Sequence, residues 1–323
     1  MKRRLAAILL LGILLFTAAA GAGEEKESVY TLVAYKEDEY ALYDLAGTGW
    51  LVEAPYDVSY PELIAKQANH YLTYARSFGI SDVSVYLINT SRSVDFDNLQ
   101  DEPKIWPLLE EYYAGCRMGS LEIHSIEEYC DWFYKTDHHW NYKGSYKAYT
   151  EIIPLVLGGD EPLMEPAETV HFPFVFNGSY NKLLGRGDSD ETFSVYRFEY
   201  PEMTIQVNLK RRASYGRAKV YFSGDAAADV SIFTNHYGEF YGGDSGTVLF
   251  STERPEKESI LVISNSYSNA INMLIASHFN NTLVADLRLF DDETGVETSL
   301  EQLVKKYGIT KILLLGDAGF FRW

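Results

Sequence analysis

At 323 residues, 46% of them apolar, the chain is long enough to bury a large core as one big domain or two small ones, which excludes a short disulfide scaffold. Its formal charge is −18, and so negative a field repels phosphate backbones, which argues against a nucleic-acid partner and leaves neutral or cationic sugars acceptable. Aromatic residues make up 15%, with 25 tyrosines, whose flat apolar face and polar tip suit carbohydrate as well as a core.

The first element is "MKRRLAAILLLGILLFTAAAGAGEEK", in which Lys2, Arg3 and Arg4 precede an apolar run that ends on small residues. That is the layout of a secretory signal peptide, assigned to residues 1–22, and it predicts an extracytoplasmic protein. An uncleaved anchor is the competing reading, although the run from Leu5 to Ala20 is short for a bilayer span of roughly 20 residues. Removal of the three cations takes the charge from −18 to −21.

Residues 23–323 read as one α/β domain. "SVYTLVAYK" and "YALYDLA" are short β-like runs, and "YPELIAKQANHYLTYARSFG" predicts a helix that opens at Pro61 and ends on Gly79. "SDVSVYLINT" has the β-branched density of a strand. Helical pieces with aromatics follow in "IWPLLEEYYAGC" and "SIEEYCDWFYK", and "YKGSYKAYTEIIPLVL" has helical spacing, so Asp137, His138, His139 and Trp140 fall in the loop before it. Over residues 168–255 the runs "TFSVYRFEY", "MTIQVNL", "AKVYFS", "VSIFTN" and "TVLFST" are short and broken by Gly, Asp and Asn, which predicts a β-rich insertion. "SILVIS", "NAINMLIASHF", "NTLVADLRLF", "SLEQLVKKYG" and "ITKILLLGD" then alternate strand with helix, as in a parallel sheet covered by helices.

Cys116 and Cys130 could pair across a short loop in an exported protein or remain two small buried thiols.

Three readings are open for Asp137, His138 and His139: a polar turn capping the next helix, a metal site, or half of a catalytic site. No further well-spaced His or Cys cluster supports the metal. The second half of a catalytic site is present in "LVISNSYSNAINML", a strand running through a tight turn into a helix, which exposes Ser266 beside free helix amides. A serine hydroxyl is a weak nucleophile and needs a base and an orienting carboxylate, and Asp137 and His139 at i, i+2 point the same way in an extended loop.

The "DHHW" quartet with "NYKGSYKAY" after it, and "SNSYSNA" followed by "HFNNTLVADLRLF", resemble the DHHW family, a branch of the SGNH (GDSL-like) hydrolase clan similar to the proteins that O-acetylate alginate. The resemblance implies an SGNH-like three-layer parallel sheet with a β-rich insertion. It implies Ser266 as nucleophile, His139 as general base and acid, and Asp137 as orienting carboxylate, with no metal and no cofactor. Arg288, Tyr267, Asn265 and Trp140 are the candidates for binding or stabilising the acyl group, although packing is the favoured reading of Trp140 and a core position is the alternative for Tyr267. The implied activity is acetyl transfer to, or ester hydrolysis on, a cell-surface or exported polysaccharide, with a membrane-bound acyltransferase as possible donor. A catalytically inactive polysaccharide-binding accessory protein is the alternative.

One departure stands out: the clan's Gly-Asp-Ser is replaced by Ser264-Asn265-Ser266, and an amide lacks the aspartate's charge. A Gly-Asp-Ser triplet does occur at 243–245, but before a strand, so Asp244 and Ser245 read as a loop. Gly178 and Ser179 could line the cleft with backbone amides or form an ordinary turn.

Overall fold

The computed structural model describes residues 27–322 apart from 38, 57, 59–60, 101–103, 226–230 and 291–298; the segment read as a signal peptide lies outside the described residues. In chain order, β1 (Tyr30–Lys36), β2 (Tyr40–Leu45) and β3 (Leu51–Glu53) form a small antiparallel sheet. Next come α1 (Pro61–Ser77), β4 (Asp82–Ile88), α2 (Trp106–Tyr112), β5 (Arg117–Leu121), α3 (Ile126–Trp132) and α4 (Tyr142–Leu157). The middle of the chain holds β6 (Glu168–Val175), α5 (Ser179–Leu184), β7 (Thr192–Arg197), β8 (Thr204–Val207), β9 (Lys210–Arg212), α6 (Ala218–Ser223), α7 (His236–Tyr241) and β10 (Thr247–Ser251). It closes with β11 (Ile260–Ser264), a 3₁₀ turn (Ser266–Ala270), α8 (Asn272–Ala276), β12 (Asn281–Ala285), α9 (Leu300–Lys306), β13 (Lys311–Asp317) and α10 (Ala318–Arg322).

Eight strands make the main sheet in the order β5-β4-β13-β11-β12-β10-β8-β9. The first five run parallel and the last three add antiparallel pairings. The parallel strands are apolar on both faces, and strand alternation divides them between two cores. Ile260, Val262, Leu313 and Leu315 enter the core under α3, α4 and α8. Leu261, Ile263, Ile312 and Leu314 enter the one under α1, α2 and α9. Each such side chain contributes roughly 1.5–3 kcal/mol by leaving water. The result is the three-layer α/β arrangement expected.

Within 168–255 the outcome is mixed. Among the described residues β6 pairs only with β7, whereas β8, β9 and β10 extend the main sheet, so this stretch is stitched into the domain. "AKVYFS" is a helix, α6, rather than the strand expected, and residues 231–235 of "VSIFTN" are a turn. In so short a run, Ala218, Tyr221 and Phe222 satisfy helical i, i+3, i+4 spacing while Ala218, Val220 and Phe222 satisfy alternation, and the αL cap at Gly224 (φ +82°) ends the helix. Cys116 and Cys130 are both free, half-buried thiols, so the pairing is not formed; burial pushes both above the usual thiol value, Cys130 to about 11. Among the described residues no helix is long and apolar enough to cross a membrane.

Candidate active site

The chain crosses from β4 to β5 in one direction and from β11 to β12 in the other, which opens a crevice at the carboxyl ends of β4, β13 and β11. Ser266 stands there as the first residue of the 3₁₀ turn after β11. Asn265 caps that turn, its side-chain oxygen accepting the Tyr267 amide at 3.4 Å.

The histidine loop is held from both ends. Phe133 and Trp140 form an isolated antiparallel bridge, and Asn141 caps α4 by accepting the amides of Lys143 and Gly144. Between these anchors Asp137 Oδ1 takes two hydrogen bonds from His139, the backbone N–H at 2.9 Å and the ring Nδ1–H at 2.6 Å. Its other oxygen accepts the Ser179 amide at 2.6 Å, where α5 begins. With Nδ1 donating, Nε2 is the acceptor, and it lies 2.8 Å from Ser266 Oγ. Residues 127 positions apart in the chain thus form one hydrogen-bonded relay.

Burial would by itself raise the Asp137 carboxyl, but His138 and His139, through charge and hydrogen bonds, hold it well below the usual carboxylate range. His138 is the opposite case: burial first, and then the neighbouring His139, push it down to about 3, so it is neutral at working pH. Its Nδ1 sits 2.9 Å from Ser179 Oγ, and its ring lies 3.9 Å from that of His139.

Of the other residues singled out in the sequence, Trp140 is fully buried, and its indole N–H donates to the Tyr267 carbonyl at 3.1 Å. It is a strut between the two halves of the site, not a surface for an acyl group or sugar. Tyr267 is buried too, its hydroxyl donating to the His138 carbonyl at 2.7 Å. Asn265 donates to Asp317 Oδ1 at 3.0 Å at the end of β13, and Asp317 is braced by Arg92, itself paired with Glu53. The carboxylate missing from position 265 is therefore supplied next door. Arg288 is held by Asp286 and Asp244 and makes no contact with Ser266 or His139 among the described residues. Asp244, in the second Gly-Asp-Ser triplet, accepts from Asn269 and so steadies the Ser266 turn.

Sequence reasoning missed Tyr237, whose ring stacks on His139 at 4.1 Å and whose hydroxyl lies 3.1 Å from the carbonyls of Ser266 and Tyr267. It lies in the middle segment, where nothing in its neighbourhood marks a site. Arg92 and Asp317 carried a readable signal, since both follow predicted strands at their carboxyl ends.

Chemically, the arrangement can withdraw the Ser266 proton into His139 Nε2 while Asp137 steadies the imidazolium. The Ser266 amide, at the open end of the turn, has no hydrogen-bond partner among the described residues and is available to a developing oxyanion. Asp137, His138 and His139 also offer ligand atoms within 4.8 Å of one another, but a metal would have to displace the Asp137–His139 bond and the His138–Ser179 contact.

No family model and no curated protein sequence matches the chain. Among solved structures, a DHHW family protein from Eubacterium siraeum is 17% identical with a TM-score of 0.64, covering 91% of this chain and 95% of its own. PatB1 of Bacillus cereus is 16% identical with a TM-score of 0.61, covering 90% and 97%, and its form with a sulfonyl adduct gives 0.60 at 17% identity over 84% and 93%. At these identities the likeness is one of fold: the chain has the three-layer α/β architecture of the DHHW family protein and of PatB1.

Proposed function

We propose that the chain is an exported, serine-dependent acetyl transferase or esterase acting on a cell-surface or exported polysaccharide. The observation that carries the reading is the Asp137–His139–Ser266 relay, at 2.6 and 2.8 Å, at the carboxyl edge of a parallel sheet. Ser266 Oγ attacks the acetyl carbonyl as its proton passes to His139 Nε2, and the oxyanion is met by the Ser266 amide. Collapse expels the donor's alcohol, which takes the proton from His139 and leaves acetyl-Ser266. A sugar hydroxyl or water, deprotonated by the same nitrogen, then attacks the acetyl group and frees the serine. The strong negative charge fits an acceptor that is not a polyanion, and a membrane-bound acyltransferase would supply the acetyl group.

The test is turnover of a chromogenic acetate by the mature chain beside Ser266→Ala and His139→Ala, with phenylmethanesulfonyl fluoride as a trap. Both variants should lose roughly 10⁴- to 10⁶-fold in kcat, and mass spectrometry should place the sulfonyl group on Ser266. A wild type that turns over neither chromogenic acetates nor acetylated saccharides, and takes no sulfonyl group, would leave the accessory-protein reading. The amide at position 265 is the observation in favour of that alternative.

A further inference from the structure

Beside the relay lies a cavity of about 460 Å³ between the start of α4, the segment joining β7 to β8, and the end of α7. That volume falls within the ~300–1,000 Å³ of small-molecule sites. Its aromatic wall follows from spacing. Tyr142 and Tyr146 lie four apart on α4 and share a helical face, and Tyr196 and Tyr200 fall on one side of an extended run. The Tyr196 ring meets Tyr142 edge-on at 4.7 Å and Tyr146 at 5.4 Å.

An aromatic wall alone is ordinary core. Here, however, the space is far larger than the voids close packing leaves. The hydroxyls of Tyr142, Tyr196, Tyr200 and Tyr241, all in the lining, have no hydrogen-bond partner among the described residues. These four residues are only partly buried, so their hydroxyls open into the cavity, whereas the phenols of Tyr215 and Tyr267 are bonded to Asn269 and His138 and those of Tyr113 and Tyr134 are shut in the core without a partner. Burial, then the phenols of Tyr200 and Tyr142, push the Tyr241 hydroxyl up, which keeps it a donor. Exposed Lys219 and Glu199 also line the cavity without an ion-pair partner among the described residues.

The cavity is close to the relay. Tyr237 stacks on His139 on one side and packs against Tyr241 at 5.2 Å on the other. Asn269 and Ala270, from the turn that Ser266 opens, line the cavity.

We infer that this cavity is a saccharide subsite that holds a short stretch of uncharged pyranose chain, ring faces against the tyrosines and sugar hydroxyls bonded to their phenols. An acyl chain of the same volume would leave those phenols unsatisfied, and a polyanion would meet the chain's negative field. The inference deepens the proposed function and rests on it for the chain's role as acceptor.

The test is saturation-transfer NMR on the mature chain with chitotetraose and cellotetraose as saccharide probes and dodecanoate as the apolar one. It is run on wild type, on Tyr200→Phe/Tyr241→Phe, and on Ala213→Trp, which fills the cavity from its exposed rim, each checked for fold by circular dichroism. At least one tetrasaccharide should bind, with Kd raised about tenfold or more in both variants. Failure of both tetrasaccharides to bind wild type, unchanged binding in either folded variant, or displacement of the sugar by dodecanoate overturns the subsite. If a tetrasaccharide binds and the variants weaken it while wild type turns over no acetyl ester, the subsite stands and the proposed chemistry falls. Turnover without saccharide binding is the reverse.

Discussion

The carboxyl edge of the parallel strands and the aromatic cavity beside it use similar side chains, yet their polar atoms are satisfied to different degrees. At the edge, Asp137 is filled by three N–H donors, Tyr237 and Tyr267 spend their hydroxyls on loop carbonyls, and Asn265 is bonded to Asp317. In the cavity, four partly buried phenols have no protein partner among the described residues and open into the space. A group that must hold one geometry while charge develops gains from fixed partners, whereas a surface that receives a ligand keeps its donors free until the ligand arrives. Substitutions at the edge should therefore act on rate, and substitutions in the cavity on saccharide affinity.

The sharpest way to break that division is Asp137→Asn. An amide can keep the shape but cannot accept both His139 N–H groups and the Ser179 amide without presenting its own NH₂ to one of them. Loss of the imidazole tautomer should cost about 10⁴-fold in kcat on a chromogenic acetate. Activity within tenfold of wild type would remove Asp137 from the mechanism.

Gly178→Ala comes next. A Cβ there would overlap the Asp137 Cβ and the Thr136 carbonyl, neither of which can yield without moving the histidine loop. A shift of about 1 Å at the carboxylate should cost on the order of 10²-fold in rate while leaving the parallel sheet intact. Turnover and thermal unfolding measured together separate the two effects, and a variant with full rate would show the loop to be less constrained than its contacts imply.

How far each region could be read from sequence follows from its physics. Strands β4, β11, β12 and β13 are apolar on both faces, so their patterns were unambiguous, and Asp137, His139 and Ser266 were legible because each sat in a loop or turn beside a well-marked helix or strand. The middle segment was not. α6 is too short for its period to exclude a strand, and Tyr237 gains its role only from a tertiary stack on His139. For Trp140 and Tyr267 the sequence left packing and binding side by side, because burial is decided by the packing of both halves, which no local window contains.

A smaller effect tests the charge next to Ser266. Restoring the clan's aspartate with Asn265→Asp would set two carboxylates where the amide now donates to Asp317 at 3.0 Å, in a place already provided with one negative charge. Activity should fall about tenfold, and Asp317→Asn in the same chain should return most of it. A gain in rate from Asn265→Asp alone would mean that Asp317 does not stand in for the missing carboxylate.

The smallest expected effect contrasts two acids on either side of the loop. Asp137 is held down by its histidines, whereas burial, only partly relieved by the Lys135 amide and aggravated by Asp137, raises Glu191 to about 8. Between about pH 4.5 and 8 the unfolded chain has therefore released the Glu191 proton while the folded chain keeps it, so stability falls as pH rises through that window. His138 acts in the other direction below about pH 6.5, because the unfolded chain charges a ring that the folded one keeps neutral. Asp137 acts only at more acid pH, and Asp190 pairs with Lys135 at the surface. Only comparison at matched pH isolates Glu191. Glu191→Gln should leave Tm near the wild-type value at pH 5 and raise it by about 2 °C at pH 8, since the neutral amide still accepts the Lys135 N–H. Parallel Tm curves for the two proteins would show that Glu191 is ionised in the folded state, and that the carboxyls beside the loop are solvated rather than divided by their surroundings.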